Sequence, residues 1–295
     1  MKFGVREICN VVFKAKNPMK IGKSTFKAGQ PVLYIDTAKT STIEGAATTV
    51  YAQGGRGNTR LIAWEGEKTL TFTVEDALLS PIGFSVLSGA GIFDDAEQNV
   101  HVHMTSAGTI IDGKVDLSSV LSANETIDNE GSNIFVVVTE ADGSVTGRTL
   151  NATVNGDKKS LTVTGAQEGD STVLVDYYVV KKANVASELQ IDAEHFAGNY
   201  YVEASTLFRT QSGKDLPAEI TLPNVKIQSN FTFSMASTGD PSTFTFTMDA
   251  FPDYTYFNKT KKVLCVMQIV NESDEDALEE TVSVMKHLGD DESSI

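Results

Sequence analysis

The chain has two cysteines, Cys9 and Cys265, in 295 residues. That is too few for a disulfide framework, so folding in a reducing cytoplasm is the expectation. Basic residues are also scarce: 24 Lys and Arg face 39 Asp and Glu, a formal charge of −15. Gripping nucleic acid by its phosphates needs clustered cations, so that function class is not expected, although a surface that nucleic acid slides past is compatible with the charge. The first residues, MKFGVREICN, hold no apolar signal core, and export by a cleaved signal is not expected. The Asn-x-Ser/Thr triplets beginning at Asn124, Asn151, Asn230, Asn258 and Asn271 then read as strand and turn chemistry, not glycosylation sites.

Long uncharged stretches are nearly missing too. The exception lies in VEDALLSPIGFSVLSGAG at 74–91, where 17 uncharged residues run between Asp76 and Asp94. That reaches only the short end of a membrane span, roughly 17–25 residues, and Pro81, Ser80, Ser85, Ser88 and three glycines interrupt it. It reads better as a buried pair of short helices. Glu75 and Asp76 would open a first turn, where the helix dipole favours acids. Ser80 would cap and Pro81 open the second, with Gly89 ending it in the left-handed conformation.

Catalytic signatures are absent as well. IGKST at 21–25 resembles the end of a phosphate-binding loop, but the required earlier glycine is Asn17. GGRGN at 54–58 lacks the strand-to-helix context of a dinucleotide fingerprint. His101 and His103 would share a strand face, yet no third ligand is near in sequence, and His195 beside Asp192 and Glu194 reads as a loop edge. No GxSxG and no Cys–His arrangement occurs. An enzyme is not expected, and no catalytic, cofactor or metal residue is assigned.

What the chain does have is alternation. Strand-like runs occur at 5–14, 31–36, 60–64, 70–74 and 100–104; in LTFTV, Leu70, Phe72 and Val74 share one face. Between the early runs, STIEGAATTVYAQGGRGNTR at 41–60 is a long polar loop, a kind of segment that is usually functional or flexible. Over 112–183 the texture shifts to short strands separated by Asp-Gly and Asn-Gly, which predicts an inserted small Ig-like β-sandwich. VKIQSNFTFSM at 225–235 and TFTFTMDAF at 243–251 predict a long hairpin with one apolar face and one wet face. The wet face carries hydroxyls and amides with Lys226 and Asp249 as its charges, and it is either a solvated outer surface or a functional one. The expected domains are therefore 1–111 and 184–270 as two parts of one β-rich domain, 112–183 as the insert, and 271–295 as an acidic C-terminal tail. In that tail Ser273 and Asp276 suggest a capping box ahead of Leu278, Val282, Met285 and Leu288, so it is either a docked helix or a frayed end.

EDALLSPIGFSVLSGAG together with NVKIQSNFTFSMASTGDPSTFTFTMDAFPDYTYFNKTKKV resembles the major tail, or tail tube, proteins of tailed bacteriophages. The resemblance covers about residues 1–110 and 184–270. It implies a mainly β, tail-tube-like β-sandwich or barrel flanked by a short helix. Such proteins assemble into stacked hexameric rings whose inner sheets close around a channel. That channel holds the tape-measure protein during assembly in the host bacterial cytoplasm and passes DNA during infection. Lumen-facing residues would be Gln228, Asn230, Thr232, Thr243, Thr245, Thr247 and Asp249. The 41–60 loop, with Thr48, Gln53, Gly54, Arg56 and Asn58, would reach the neighbouring ring. Further partners implied are the tail terminator, baseplate or tail-tip proteins and, in contractile tails, a sheath, with no membrane. An insert on the outside leaves a sheath little room, which favours a non-contractile tail. Two other classes stay open: a β-rich adhesin or capsid decoration protein binding a cell-surface glycan, and a hydrolase with an unfamiliar site.

Overall fold

The computed structural model describes every residue except Met1, Arg6, Ala96, 129–132, Ala141, 233–236, 239–242 and 271–295. The chain divides into two compact units, Met1–Ala90 with Ile191–Ile295, and Gly91–Gln190. The boundaries thus lie outside the 112 and 183 expected from texture. The reason is the VHVHM strand, which belongs with the insert.

The first unit begins with β1 (Phe3–Val5), β2 (Asn10–Ala15), β3 (Met19–Ile21), β4 (Ser24–Phe26), β5 (Pro31–Ile35), β6 (Ala38–Gly54), β7 (Thr59–Asp76) and one helix, α1 (Pro81–Ser88). The second unit holds β8 (Gly91–Phe93), β9 (Asn99–Ile111), β10 (Lys114–Asp116), β11 (Thr126–Ile127), β12 (Phe135–Thr139), β13 (Val145–Val154), β14 (Ser160–Thr164), β15 (Thr172–Lys182) and β16 (Glu188–Gln190). The first unit resumes with β17 (Asn199–Thr210), β18 (Asp215–Ile227), β19 (Phe244–Ala250) and β20 (Val266–Ile269).

Nine strands of the first unit form one antiparallel sheet in the order β5-β2-β17-β18-β19-β7-β6, with β1 on β17 and β20 on β18. Its buried face follows from alternation: Val11, Phe13 and Ala15 on β2, Phe72 and Val74 on β7, and Phe246 and Met248 on β19. Phe13 meets Tyr200 edge-on and Phe246 at a tilt, each with 5.9 Å between ring centroids. The sheet curls, and Cys9 N donates to Ser41 Oγ (2.9 Å), tying the chain just before β2 to β6 at the other end of the strand order.

β17 and most of β18 lie outside the strands expected from sequence; of β18 only Val225–Ile227 falls in the run predicted at 225–235. β18 contains Pro217 and Pro223, which argue against an interior strand because proline gives the ladder no N–H. Both are accommodated. Pro223 lies in a bulge, where the register shifts between Tyr200–Val225 and Val202–Leu222. The bulge also divides the far edge of β18: Ala218–Thr221 pair with β20, Val225–Ile227 with β19.

The expected helix pair is one helix. Glu75 and Asp76 end β7, paired with Thr245 and Phe244, and do not open a helical turn. From Ser80 onward the expectation holds. Ser80 Oγ accepts from Gly83 N (2.9 Å), Pro81 is at the N-terminal turn, and Gly89 closes the helix with φ of 78°. Phe84, Val86 and Leu87 are buried, and the serines that interrupt this apolar run are satisfied locally. Ser85 Oγ donates to Ala90 O (2.6 Å) and Ser88 Oγ to Phe84 O (2.7 Å). No helix among the described residues is long and apolar enough to cross a membrane. Gly89 is also pressed against the backbone of Phe196, where an added Cβ would approach the carbonyl carbon to 2.5 Å. Gly89→Ala should therefore destabilise the first unit by roughly 2–4 kcal/mol, combining left-handed strain with a backbone clash, measurable by urea unfolding.

In the second unit the ladder closes on itself: β15-β12-β13-β14-β10-β9, with β9 returning to β15. The insert is thus a closed six-stranded barrel, where its hairpin signals suggested a small Ig-like β-sandwich. Closure depends on two corner strands. β9 pairs with β15 through Thr109 and with β10 at Ile110 and Ile111, while β13 pairs with β12 through Leu150 and with β14 from Asn151. Gly108 sits at the β9 corner, where a Cβ would meet Val115 at 2.5 Å. Leu161, Val136, Val175 and Tyr177 fill the interior, with the Tyr177 hydroxyl 3.1 Å from Ser106 Oγ. β8 pairs with β16, Gly91 opposite Gln190, so the two ends of the unit are adjacent. Removing Gly91–Gln190 and joining Ala90 to Ile191 through a short Gly/Ser linker should leave the first unit folded, as seen by circular dichroism and cooperative melting.

Candidate functional site

The segment expected to be a long polar loop is a β-ribbon. β6 and β7 pair from Ala38–Asp76 out to Gly54–Thr59, whereas β19 accompanies β7 only as far as Thr71. Beyond that point the ribbon runs on for about a dozen residue pairs, roughly 35–40 Å at strand rise. There it is exposed on both faces. Thr, Val, Tyr and Ile supply the β preference that the Gly and Thr content obscured.

The arm ends in a turn in which Asn58 N donates to Gly55 O (3.2 Å) and Asn58 Nδ2 to Gln53 Oε1 (3.2 Å). Gln53, Gly54, Arg56 and Asn58 are therefore together at the tip. Thr48 lies further down, at a bulge, where its Oγ1 accepts from Glu67 N (2.9 Å). Behind the tip the side chains become apolar. Val50 faces Trp64 and Ala52 faces Ile62 across the ribbon, while Tyr51 faces Ala63 on the opposite side. The Arg60 guanidinium stacks on the Tyr51 ring at 4.0 Å. Leu61 is 65% exposed, Val50 63%, Ile62 56% and Trp64 53%. An isolated two-stranded ribbon is marginal in water, and this one also presents large apolar side chains to solvent. Among the described residues no other element covers it.

The second feature is the polar face of the large sheet. Register sets up rows across three strands: Thr42–Thr73–Thr247, and Glu44–Thr71–Asp249 continuing to Lys226. Gln228 Nε2 donates to both Asp249 oxygens (3.1 and 3.0 Å), and Thr71 Oγ1 donates to Oδ1 (3.3 Å). Thr243 and Thr40 hydroxyls donate to Glu75 and hold its carboxyl below the ordinary range, so it stays ionised. The wet face is thus hydrogen-bonded across the strands.

The expected lumen residues do not share one ladder. Strand β18 ends at Ile227, and the last rung to β19 is Gln228 N to Thr247 O (2.8 Å). The long hairpin is therefore short in its paired part, and residues 233–236 and 239–242 lie outside the described residues. Asn230 and Thr232 leave the ladder, yet they line a polar cleft of about 250 Å³ with Thr243, Thr245 and Thr247. His103 Nε2 lies 2.8 Å from Asp176, His101 Nδ1 3.4 Å from Asp128, and His195 Nδ1 2.6 Å from Asp192. Among the described residues no three His, Cys, Asp or Glu side chains converge as metal ligands.

A search of the curated proteins finds no match to this chain. The model of the YomU/Tube protein family matches residues 22–264, which include the arm, the whole second unit and the polar strands β18 and β19. The chain therefore belongs to the YomU/Tube protein family and is a structural protein of the bacteriophage tail tube.

Proposed function

We propose that copies of this chain form hexameric rings that stack into the tail tube, with the β6–β7 arm as the contact between copies. The arm supports this reading most directly, because a ribbon exposed on both faces, carrying Val50, Leu61, Ile62 and Trp64 just behind its tip, needs a neighbour to bury it. Thr48, Gln53, Gly54, Arg56 and Asn58 meet the adjoining ring. Gln228, Asn230, Thr232, Thr243, Thr245, Thr247 and Asp249 face the lumen, which holds the tape-measure protein and then passes DNA. The tube ends on a tail terminator and on baseplate or tail-tip proteins.

Hydroxyls, amides and ionised carboxylates suit a conduit, since they offer phosphates few cations to hold. Among the described residues the end strands β5 and β6 each pair with a strand on one side only, which suits closure of neighbouring sheets into a continuous wall. Electron microscopy of the purified chain tests the proposal: stacked rings support it, and a strict monomer after long incubation at high concentration counts against it. The sole tryptophan, Trp64, reports on the same step. Its emission should move to shorter wavelength as tubes form, and an unshifted spectrum in assembled tubes would remove the arm from the contact.

A further inference from the structure

Residues 251–263, between β19 and β20, form a braced loop with its own surface. Asp253 and Val263 clamp its base through two backbone hydrogen bonds (3.1 and 2.9 Å). Inside it Asn258 N donates to Thr255 Oγ1 (3.0 Å), and Asn258 Oδ1 accepts from Thr260 N (2.9 Å) and Oγ1 (2.6 Å). Tyr256 stacks on Tyr201 with ring centroids 4.1 Å apart. A loop held this firmly nonetheless presents Phe257 97% exposed. Around Phe257 are exposed cations: Lys259 Nζ lies 5.8 Å from the Tyr256 ring centre and Lys262 Nζ 5.5 Å from that of Tyr254, with Lys261 between them in sequence. Lys14 and Lys16 nearby are paired with Glu203 and Asp253. Among the described residues Lys259, Lys261 and Lys262 stand in no ion pair.

A basic and aromatic surface in a chain of charge −15 selects an occupant that is acidic and partly apolar. The chain itself contains one. Residues 271–295 carry nine Asp and Glu and one Lys, 1 − 9 = −8 of the −15, with six of the acids at 272–280 and then Val282, Met285 and Leu288. We propose that the acidic segment 271–295 docks on the 251–263 loop of its own chain, carboxylates on Lys259, Lys261 and Lys262 and apolar side chains over Phe257. The segment follows Val270, whose N–H donates to Pro217 O on β18, while β19 next to the loop pairs with the same strand at Val225, about eight residues or roughly 25 Å along it. An extended chain covers that distance in about eight residues, within the length of the segment, and a tether of this reach raises its effective concentration to about millimolar. Single exposed ion pairs are weak and screened by salt, so Phe257 and the tether are needed to hold the contact.

Limited trypsin digestion of the full chain tests this, read by mass spectrometry as cleavage after Lys286. The variant Lys259→Gln/Lys261→Gln/Lys262→Gln, and separately Phe257→Ser, should raise that cleavage rate about tenfold while circular dichroism stays unchanged, because proteolysis tracks the open population. Equal rates in wild type and both variants overturn the proposal. Carbodiimide crosslinking of a mixture of ¹⁴N and ¹⁵N protein supplies the second arm. Links from Lys259, Lys261 or Lys262 to acids at 272–280 should join residues of one isotope. Isotopically mixed links would transfer the site to a neighbouring copy and overturn docking within the chain. So would the absence of such links when the Lys181–Glu125 pair, 2.7 Å apart, is crosslinked. Binding of an oligothymidylate by the full chain through these lysines at about 0.15 M salt would make the loop a nucleic-acid surface and equally overturn the assignment.

Discussion

The double variant Ile62→Ser/Trp64→Ser should abolish tube formation while leaving the protomer folded. Both side chains are more than half exposed in the protomer and touch no core, so their loss should cost the isolated chain little, within roughly 0.5 kcal/mol each. Across a contact between copies the account reverses. Each buried side chain of this size contributes on the order of 1.5–3 kcal/mol, and aromatic anchors dominate interfaces. Because the same contact recurs in every ring, the concentration needed for assembly should rise by about a hundredfold or more. Sedimentation and electron microscopy read the loss, and an unchanged thermal melt of the protomer establishes that the fold survived. Tubes of normal length from this variant would show that the arm's apolar band does not carry assembly.

Lysines placed on the polar sheet face should leave assembly intact and slow genome ejection. Asn230, Thr245 and Thr247 suit the substitution: Asn230 and Thr245 are exposed, Thr247 half-buried, and none is the hydroxyl that holds Glu75. Thr243 and Gln228 should be left alone, since they brace Glu75 and Asp249. Each added cation offers a passing duplex a phosphate contact, and affinity then depends on salt as a power of the number of contacts. Particles carrying Asn230→Lys/Thr245→Lys/Thr247→Lys should therefore eject DNA slowly at low salt and recover as salt is raised. A normal ejection rate in well-formed particles would move the lumen to another face while leaving the tube itself in place.

The amino-acid sequence by itself determined what local chemistry can determine. Alternation in LTFTV and TFTFTMDAF identified the core side of β7 and β19, and Ser80, Pro81 and Gly89 defined the helix, because pleat and cap need only neighbouring residues. Hairpin dipeptides likewise marked the insert as β. Tertiary structure decided the rest. That 41–60 is half of a projecting ribbon depends on its pairing with 59–76, since strands rich in Gly and Thr acquire their conformation from a partner. β18 tolerates Pro223 only because a bulge against β17 absorbs it, which no local rule reveals. Closure of the insert into a barrel turned on β9 pairing with β15, strands separated by most of that unit. Glu75 illustrates the division most plainly: next to an apolar run it looks like a helix opener, but a cross-strand partner and two threonine hydroxyls hold it in a sheet. Periodicity is written residue by residue, whereas pairing is a choice among distant segments, made by whichever combination buries the apolar faces and satisfies the backbone together.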